Sequence, residues 1–232
     1  MREQLDILVF GAHADDAEIG MAGTIYKHVE AGLRVGICDL TFAEMSSNGT
    51  VEMRKQEAKE AGMVLGLSSR SNLGLPDRGL AMTQDNIQVI TSEIRRLAPR
   101  IVFAPYWVDR HPDHVACSKL VEEAVFNAKL RRYLPDQPAV NVEQLVYYFI
   151  NDLGQADLMV DISLQYEVKE KALSCYRSQF EQSALETVAT PLNQGYIERV
   201  KSRDRLVGQR RLVSYAEGFA VKIPFLVDKF IT

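Results

Sequence analysis

The sequence predicts an α/β fold: a mostly parallel sheet with helices on both faces. Short apolar runs of strand length alternate with segments whose apolar residues recur at helical spacing, an alternation that builds parallel strands covered by crossover helices. Polar clusters follow directly after two of the runs, "GAHADD" at 11–16 and "YWVDRHPDH" at 106–114, where the loops of an open sheet gather ligands. With 232 residues, 47% of them hydrophobic and 25% charged, the chain can bury a sizeable core. The expected architecture is Rossmann-like, one domain over 1–232 with a core to about residue 165 and a small C-terminal elaboration after it.

Taken in order, "LDILVFGA" reads as the first strand. Glu18 to Ala31 has Ile19, Ala22, Ile25, Tyr26 and Val29 at helical spacing and stops at Gly32. "LRVGICDLT" is a second strand, followed by the polar loop "AEMSSNG" and a helix from the N-cap Thr50 to Gly66. The short strand "SNLGL" meets the breaker "LPDRG", Gln84 to Leu97 is helical, and "RIVFAPY" is the next strand. A helix is expected from His114 to Leu130, then strands at "QLVYYFI" and "DLMVDIS" and a helix from Leu164 to Leu185. The basic stretch "ERVKSRDRLVGQRRLVSYAEGF" reads as a solvated helix face or an oligomer contact.

The formal net charge of −4 gives no global electrostatic reason to expect nucleic acid or an anionic membrane as partner, so any bound anion is held locally. Cys38, Cys117 and Cys175 are odd in number and lack CxxC spacing, which fits reduced thiols of the core. The apolar run in "MREQLDILVF" is too short for a secretory signal, and no run of about 18 apolar residues occurs. A cytoplasmic protein is therefore expected, with "NGT" at Asn48 a turn.

A catalytic zinc site takes three protein ligands from His and carboxylate and leaves a fourth position open. His13 and Asp16, three residues apart on a turn entering a helix, and His114 from the second cluster are the candidates. Asp15, beside a ligand, is free to act as a general base toward the attacking water. His111, oriented by Asp113, is expected as an imidazolium near the developing oxyanion. A single Asp after a strand would read as a helix N-cap, but two clusters at two strand ends outweigh that reading. His28, away from both clusters, reads as a surface or packed residue.

These residues resemble the PIG-L or LmbE-like N-acetylglucosamine deacetylases. Ala12-His13-Ala14-Asp15-Asp16 with Glu18 and Gly20 matches the first family motif, AHPDD followed by an acidic residue and a glycine. His111-Pro112-Asp113-His114 matches the second, H-x-x-H, and "LGLPDRG" at 73–79 and "YAEGF" at 215–219 are weaker family-like segments. Ala14 stands where the family has proline, which loosens the turn and removes no ligand.

The resemblance implies zinc on His13, Asp16 and His114, Asp15 as base, and His111 as electrostatic or acid partner. It also implies an amino-sugar substrate, an N-acetylglucosamine conjugate losing acetate, and within the family "FGAHADDAEIGMAGTI" is similar to the bacillithiol branch that acts on N-acetylglucosaminyl-malate. The malate carboxylates call for local arginines, with Arg54 and Arg110 expected. Glu44 is expected on sugar hydroxyls or as a solvated loop acid, Tyr196 as a mobile lid donor or a core or surface residue, and Tyr106 and Trp107 as sugar walls or loop packing. Fe(II) and Co(II) suit the same ligands as Zn(II), and a homo-oligomer, a hexamer by resemblance, is expected. A nucleotide-binding reading would want GxGxxG after the first strand; the turn has two carboxylates instead. A deacetylase or amidase for another glycoconjugate remains the alternative.

Overall fold

The computed structural model describes residues 4–182 and 187–227. Among them a seven-stranded sheet runs in the order β3-β2-β1-β4-β5-β7-β6. The strands are β1 (Ile7–Gly11), β2 (Val35–Thr41), β3 (Ser69–Leu75), β4 (Ile101–Pro105), β5 (Gln144–Tyr148), β6 (Leu158–Asp161) and β7 (Ala216–Ala220). β1 to β5 are mutually parallel, and β7 is antiparallel to both neighbours. The helices are α1 (Asp16–Glu30), α2 (Val51–Leu65), α3 (Gln84–Leu97), α4 (Pro112–Ala128), α5 (Tyr166–Ser174), α6 (Arg177–Phe180) and α7 (Tyr196–Gln209). No helix among the described residues is long and apolar enough to cross a membrane.

Alternate residues of β1 serve opposite faces. Leu8 and Phe10 pack with Ile90, Ile94, Leu120 and Val121 of α3 and α4, while Ile7 and Val9 pack with Ile19, Ile25 and Leu173 of α1 and α5. The α/β architecture expected from the sequence is thus the one observed. Helix ends follow local chemistry: the Thr50 hydroxyl accepts from the N–H of Met53, Thr83 does the same for Asn86, and Gly66 closes α2 in the left-handed region. Cys38 and Cys117 are buried and Cys175 half-buried, all unbridged.

Three expectations change. The helix expected from Leu164 to Leu185 divides into α5 and α6 at Cys175–Tyr176. The fully buried Tyr176 donates its hydroxyl to Glu18 at 2.8 Å, a tertiary anchor that overrides helical periodicity; residues 183–185 lie outside the described residues. The segment after residue 166 also supplies β7, which sits inside the sheet between β5 and β6. The basic stretch is only partly solvated: Asp204 is 1% exposed, and Arg203 makes its hydrogen bonds inward.

β1 is flanked by β2 on one side and β4 on the other, so the chain after β1 and the chain after β4 leave in opposite directions. The crevice between them is the topological switch point, and both polar clusters open into it. Gly20 lets α1 lie against β5 here. A Cβ at this position would sit 2.2 Å from the Tyr148 ring and 3.0 Å from the Phe149 carbonyl, and Tyr148 is fixed by its hydroxyl donating to the Phe10 carbonyl at 2.8 Å. Gly20→Ala is therefore expected to cost about 1–3 kcal/mol of stability through overpacking, measured as a shift in denaturant midpoint.

Candidate metal centre and active site

The turn after β1 is built to expose two carboxylates. Asp15 sits at φ 115°, a backbone conformation few non-glycine residues adopt, and its carbonyl accepts from Ile19 as α1 begins. The Arg54 guanidinium of α2 donates through Nη2 to the Ala14 carbonyl and to Asp15 Oδ2, the latter at 3.2 Å. The bond to the carbonyl holds the turn at Ala14. Glu18 points away from the crevice, buried against Arg70 at 2.5 Å and Tyr176.

Asp16 is the meeting point. Its carboxylate lies 3.1 Å from His114 Nε2 and 3.6 Å from His13 Nδ1. Each histidine turns its other ring nitrogen to an outlying carboxylate: His13 Nε2 is 3.2 Å from Asp77, and His114 Nδ1 is 3.0 Å from Asp109. Metal-binding histidines are characteristically oriented by a carboxylate at the second nitrogen, so these residues fit a divalent ion. Two sets of residues bring donor atoms within 4.8 Å of one another, His13, His111 and His114 in one and His13, Asp77 and Asp113 in the other; Asp16 is in neither set and reaches the histidines by the two contacts above.

The electrostatics agree. Burial opposes charge on His114, but Asp16 and Asp109 outweigh it and raise its pKa to about 9. His13 is likewise raised well above the usual value, burial being outweighed by Asp113, Asp16 and Asp77. A field that keeps two buried imidazoles protonated attracts a cation just as well. Without metal, the His114 contribution to stability is fully present below about pH 6.5 and lost as pH rises through about 9. Ligation needs neutral imidazole, so apparent metal affinity rises about tenfold per pH unit for each proton displaced. The melting temperature of metal-free protein is expected to fall between pH 6.5 and 9, while the increment on adding zinc grows, both readable by calorimetry.

Asp15 stands apart from this convergence. Burial, countered by Arg54, raises its pKa to about 6, which suits a proton acceptor near neutrality. His111 departs from expectation. Its Nδ1 accepts the N–H of Asp113 at 3.2 Å and so caps α4, and burial followed by repulsion from His114 and His13 lowers its pKa. With Nδ1 accepting that N–H, the ring proton is left to Nε2, where an imidazolium was expected. Asp113 does not orient that ring through its carboxylate, which takes the Arg78 N–H and guanidinium at 3.0 Å each and stands 3.5 Å from His13 Nε2.

A cavity of about 560 Å³ opens over these groups, and His13, Asp15, Asp16, Arg54, Arg110, His111, His114 and Tyr196 all line it. Asp113 and Glu44 do not. Glu44 is exposed and accepts the Asp77 N–H at 2.7 Å, so it props the Asp77 loop. Arg54 is 3% exposed and committed on one edge to the turn, with Nε and Nη1 unpartnered among the described residues. Tyr196, expected as a mobile lid, is a buried wall at the start of α7 whose hydroxyl donates to Asn151 Oδ1 at 3.0 Å. Tyr106 and Trp107 pack with each other and with Tyr147 and Phe149 in the loop. His28 bonds to the Thr24 carbonyl within α1.

Sequence reasoning missed Asp77, Asp109 and Asn151. Asp77 stands in "LGLPDRG" and Asp109 in "YWVDRHPDH", segments singled out without a role for these residues. Asn151 donates to Asp109 at 2.8 Å and had no signal in the sequence.

Fold and donor set together put the chain among α/β proteins with a candidate metal centre at the switch point. The family model described as PIG-L: GlcNAc-PI de-N-acetylase matches residues 8–125, and the chain belongs to that family. It is 29% identical over 78% of its length to a diacetylchitobiose deacetylase of Thermococcus kodakarensis, covering 72% of that protein. It is also 29% identical to a probable N-acetyl-alpha-D-glucosaminyl L-malate deacetylase 2 of Bacillus subtilis, over 75% of this chain and 83% of that one. The crystal structure of the conserved protein TT1542 from Thermus thermophilus is similar with a TM-score of 0.90 and 40% identity, covering 99% of this chain and 100% of that chain.

Proposed function

We propose that this chain is a metal-dependent N-deacetylase that hydrolyses the acetamide of N-acetylglucosaminyl-malate to acetate and the free amino sugar. The observation that carries the reading is the division of labour in the crevice: a buried carboxyl with a pKa of about 6, adjacent to a His–Asp–His convergence but separate from it. His13, Asp16 and His114 would hold the ion, zinc by donor type with Fe(II) and Co(II) also suited. A divalent ion supplies Lewis acidity toward water and the acetyl carbonyl.

The chain's own residues do the rest. Asp15 accepts a proton from the attacking water as the new C–O bond forms, and Arg54 keeps its carboxylate in place. His111, fixed at Nδ1 by the α4 cap, offers Nε2–H as a neutral, preorganised donor to the developing oxyanion. As the C–N bond breaks, the proton held by Asp15 passes to the departing amine and the carboxylate is regenerated.

An anionic aglycone is supported by two arginines beside the cavity. Arg110 lines the cavity and the groove adjoining it, and Arg199 lines that groove; neither side chain makes a hydrogen bond or ion pair among the described residues. The other arginines lining cavities are committed: Arg54 to Asp15, Arg70 to Asp39 and Glu18, Arg78 to Asp113, Arg177 to Glu60, Arg203 to Asp204. The malate role expected of Arg54 therefore passes to Arg110 and Arg199.

Mass-spectrometric assay of acetate release from N-acetylglucosaminyl-malate, N-acetylglucosamine and diacetylchitobiose tests the assignment. The malate conjugate is expected to have the highest kcat/KM. Arg110→Ala should lower kcat/KM for that substrate by about 10- to 100-fold, the worth of a charged hydrogen bond, and leave neutral substrates unchanged. Preference for diacetylchitobiose, with no effect of Arg110→Ala, would favour a neutral oligosaccharide instead.

A further inference from the structure

α1 is not one continuous helix. Met21 leaves helical geometry at φ −153° and ψ 22°, splitting off a first turn from a longer helix. Such a break frees carbonyls at the end of the first piece and N–H groups at the start of the second. Residues from the C-terminal part of the chain take up both. Glu217 of β7 accepts from the N–H of Gly23 at 3.1 Å and of Thr24 at 2.7 Å. Arg203 of α7 donates through Nη2 to the Ile19 carbonyl at 2.7 Å. The two are joined through Lys169, whose Nζ lies 2.7 Å from Glu217 and 2.7 Å from Asp204, the ion-pair partner of Arg203. All three of Lys169, Asp204 and Glu217 are buried, and "YAEGF" acquires a physical role through Glu217.

Arg203 also reaches the other half of the site. Its Nη1 donates to the carbonyls of Ile150 at 2.7 Å and Phe149 at 3.2 Å, just past the end of β5. The next residue, Asn151, bonds to Asp109 through its side chain and its N–H, and Asp109 braces His114 at 3.0 Å. One guanidinium is thus bonded to the turn that carries Asp16 and to the segment from which His114 is braced. A single helical turn cut off from its helix has little stability of its own, so its position depends on what clamps it.

We propose that Arg203 is a positioning residue that sets the spacing between the Asp15–Asp16 turn and the His114 arm, with Glu217 holding the far side of the break. This rests on the reading of His13, Asp16 and His114 as metal ligands. Arg203 lies 184 residues beyond the Ile19 carbonyl it holds.

The test uses the full chain, with zinc affinity measured by chelator competition and turnover by acetate release. Arg203→Ala is expected to weaken zinc affinity about 10- to 100-fold, the range for partners that orient ligands, and to lower kcat with little change in KM. Arg203 lines a groove and its side chain is 11% exposed, so millimolar guanidinium is expected to restore both quantities. A variant that melts earlier but keeps wild-type zinc affinity in its folded fraction, without guanidinium rescue, overturns the proposal. Should Arg203→Ala fail to fold, Arg203→Lys carries the same test: one ammonium cannot reproduce the guanidinium's spread of donors, so zinc affinity should still fall, and unchanged affinity overturns it. Zinc affinity is read without substrate. Absence of acetate release from the wild type therefore counts against the proposed function and not against this role.

Discussion

Asp15→Asn is expected to lower kcat by about 10²- to 10⁴-fold, the usual worth of a positioned general base, while zinc still binds with nearly wild-type affinity. The substitution keeps size and removes only the ability to accept a proton. Asp16, not Asp15, stands between the two histidines, so the donor set survives. Arg54 loses its charged partner but keeps the Ala14 carbonyl, so the turn is held. In the wild type, kcat should fall about tenfold per pH unit once the pH drops below the pKa of Asp15, which is about 6 in the metal-free protein. Loss of the ion with activity intact after reconstitution would reverse the roles assigned to the two aspartates.

His114→Ala should produce the largest loss of metal binding. It removes one of two imidazoles facing Asp16 and leaves Asp109, a carboxylate 5% exposed, without the ring it orients. The fall in zinc affinity should exceed the roughly 10- to 100-fold expected when only an orienting partner is lost, and Asp109→Asn supplies that comparison directly. Isothermal titration on both variants reads the difference. Equal losses would mean that His114 and Asp109 contribute alike, and His114 would no longer count as a ligand.

How much of this is legible in the sequence depends on how local the signal is. α2 and α3 are readable to within a residue because Thr50, Gly66 and the spacing in 84–97 act locally. The two clusters are readable because each sets histidine and aspartate side by side directly after an apolar run, a combination that a lone helix cap does not need. β7 is not recognisable as a strand: "AEGFA" has a glycine and a glutamate, and that glutamate is 1% exposed because it serves α1 across the fold.

The errors at the site have the same origin. Proximity in "HPDH" suggests a carboxylate on an imidazole, but at a helix start it is the backbone N–H of Asp113 that reaches Nδ1, and the carboxylate turns to Arg78. Asp77 lies 64 residues from His13, a distance over which loop residues carry no periodicity to read. Tyr196 is expected in the site, but only the fold reveals that Asn151 fixes it as a wall.

Under the proposed function, metal held at this switch point and deacetylation go together. The most direct measurement is acetate release from N-acetylglucosaminyl-malate by purified protein stripped of metal, then reloaded with one equivalent of zinc. The predicted result is no release when stripped and equal amounts of acetate and free amine on reloading. Release that persists through stripping, or stoichiometric zinc binding with no acetate from any N-acetylglucosamine conjugate, would contradict it.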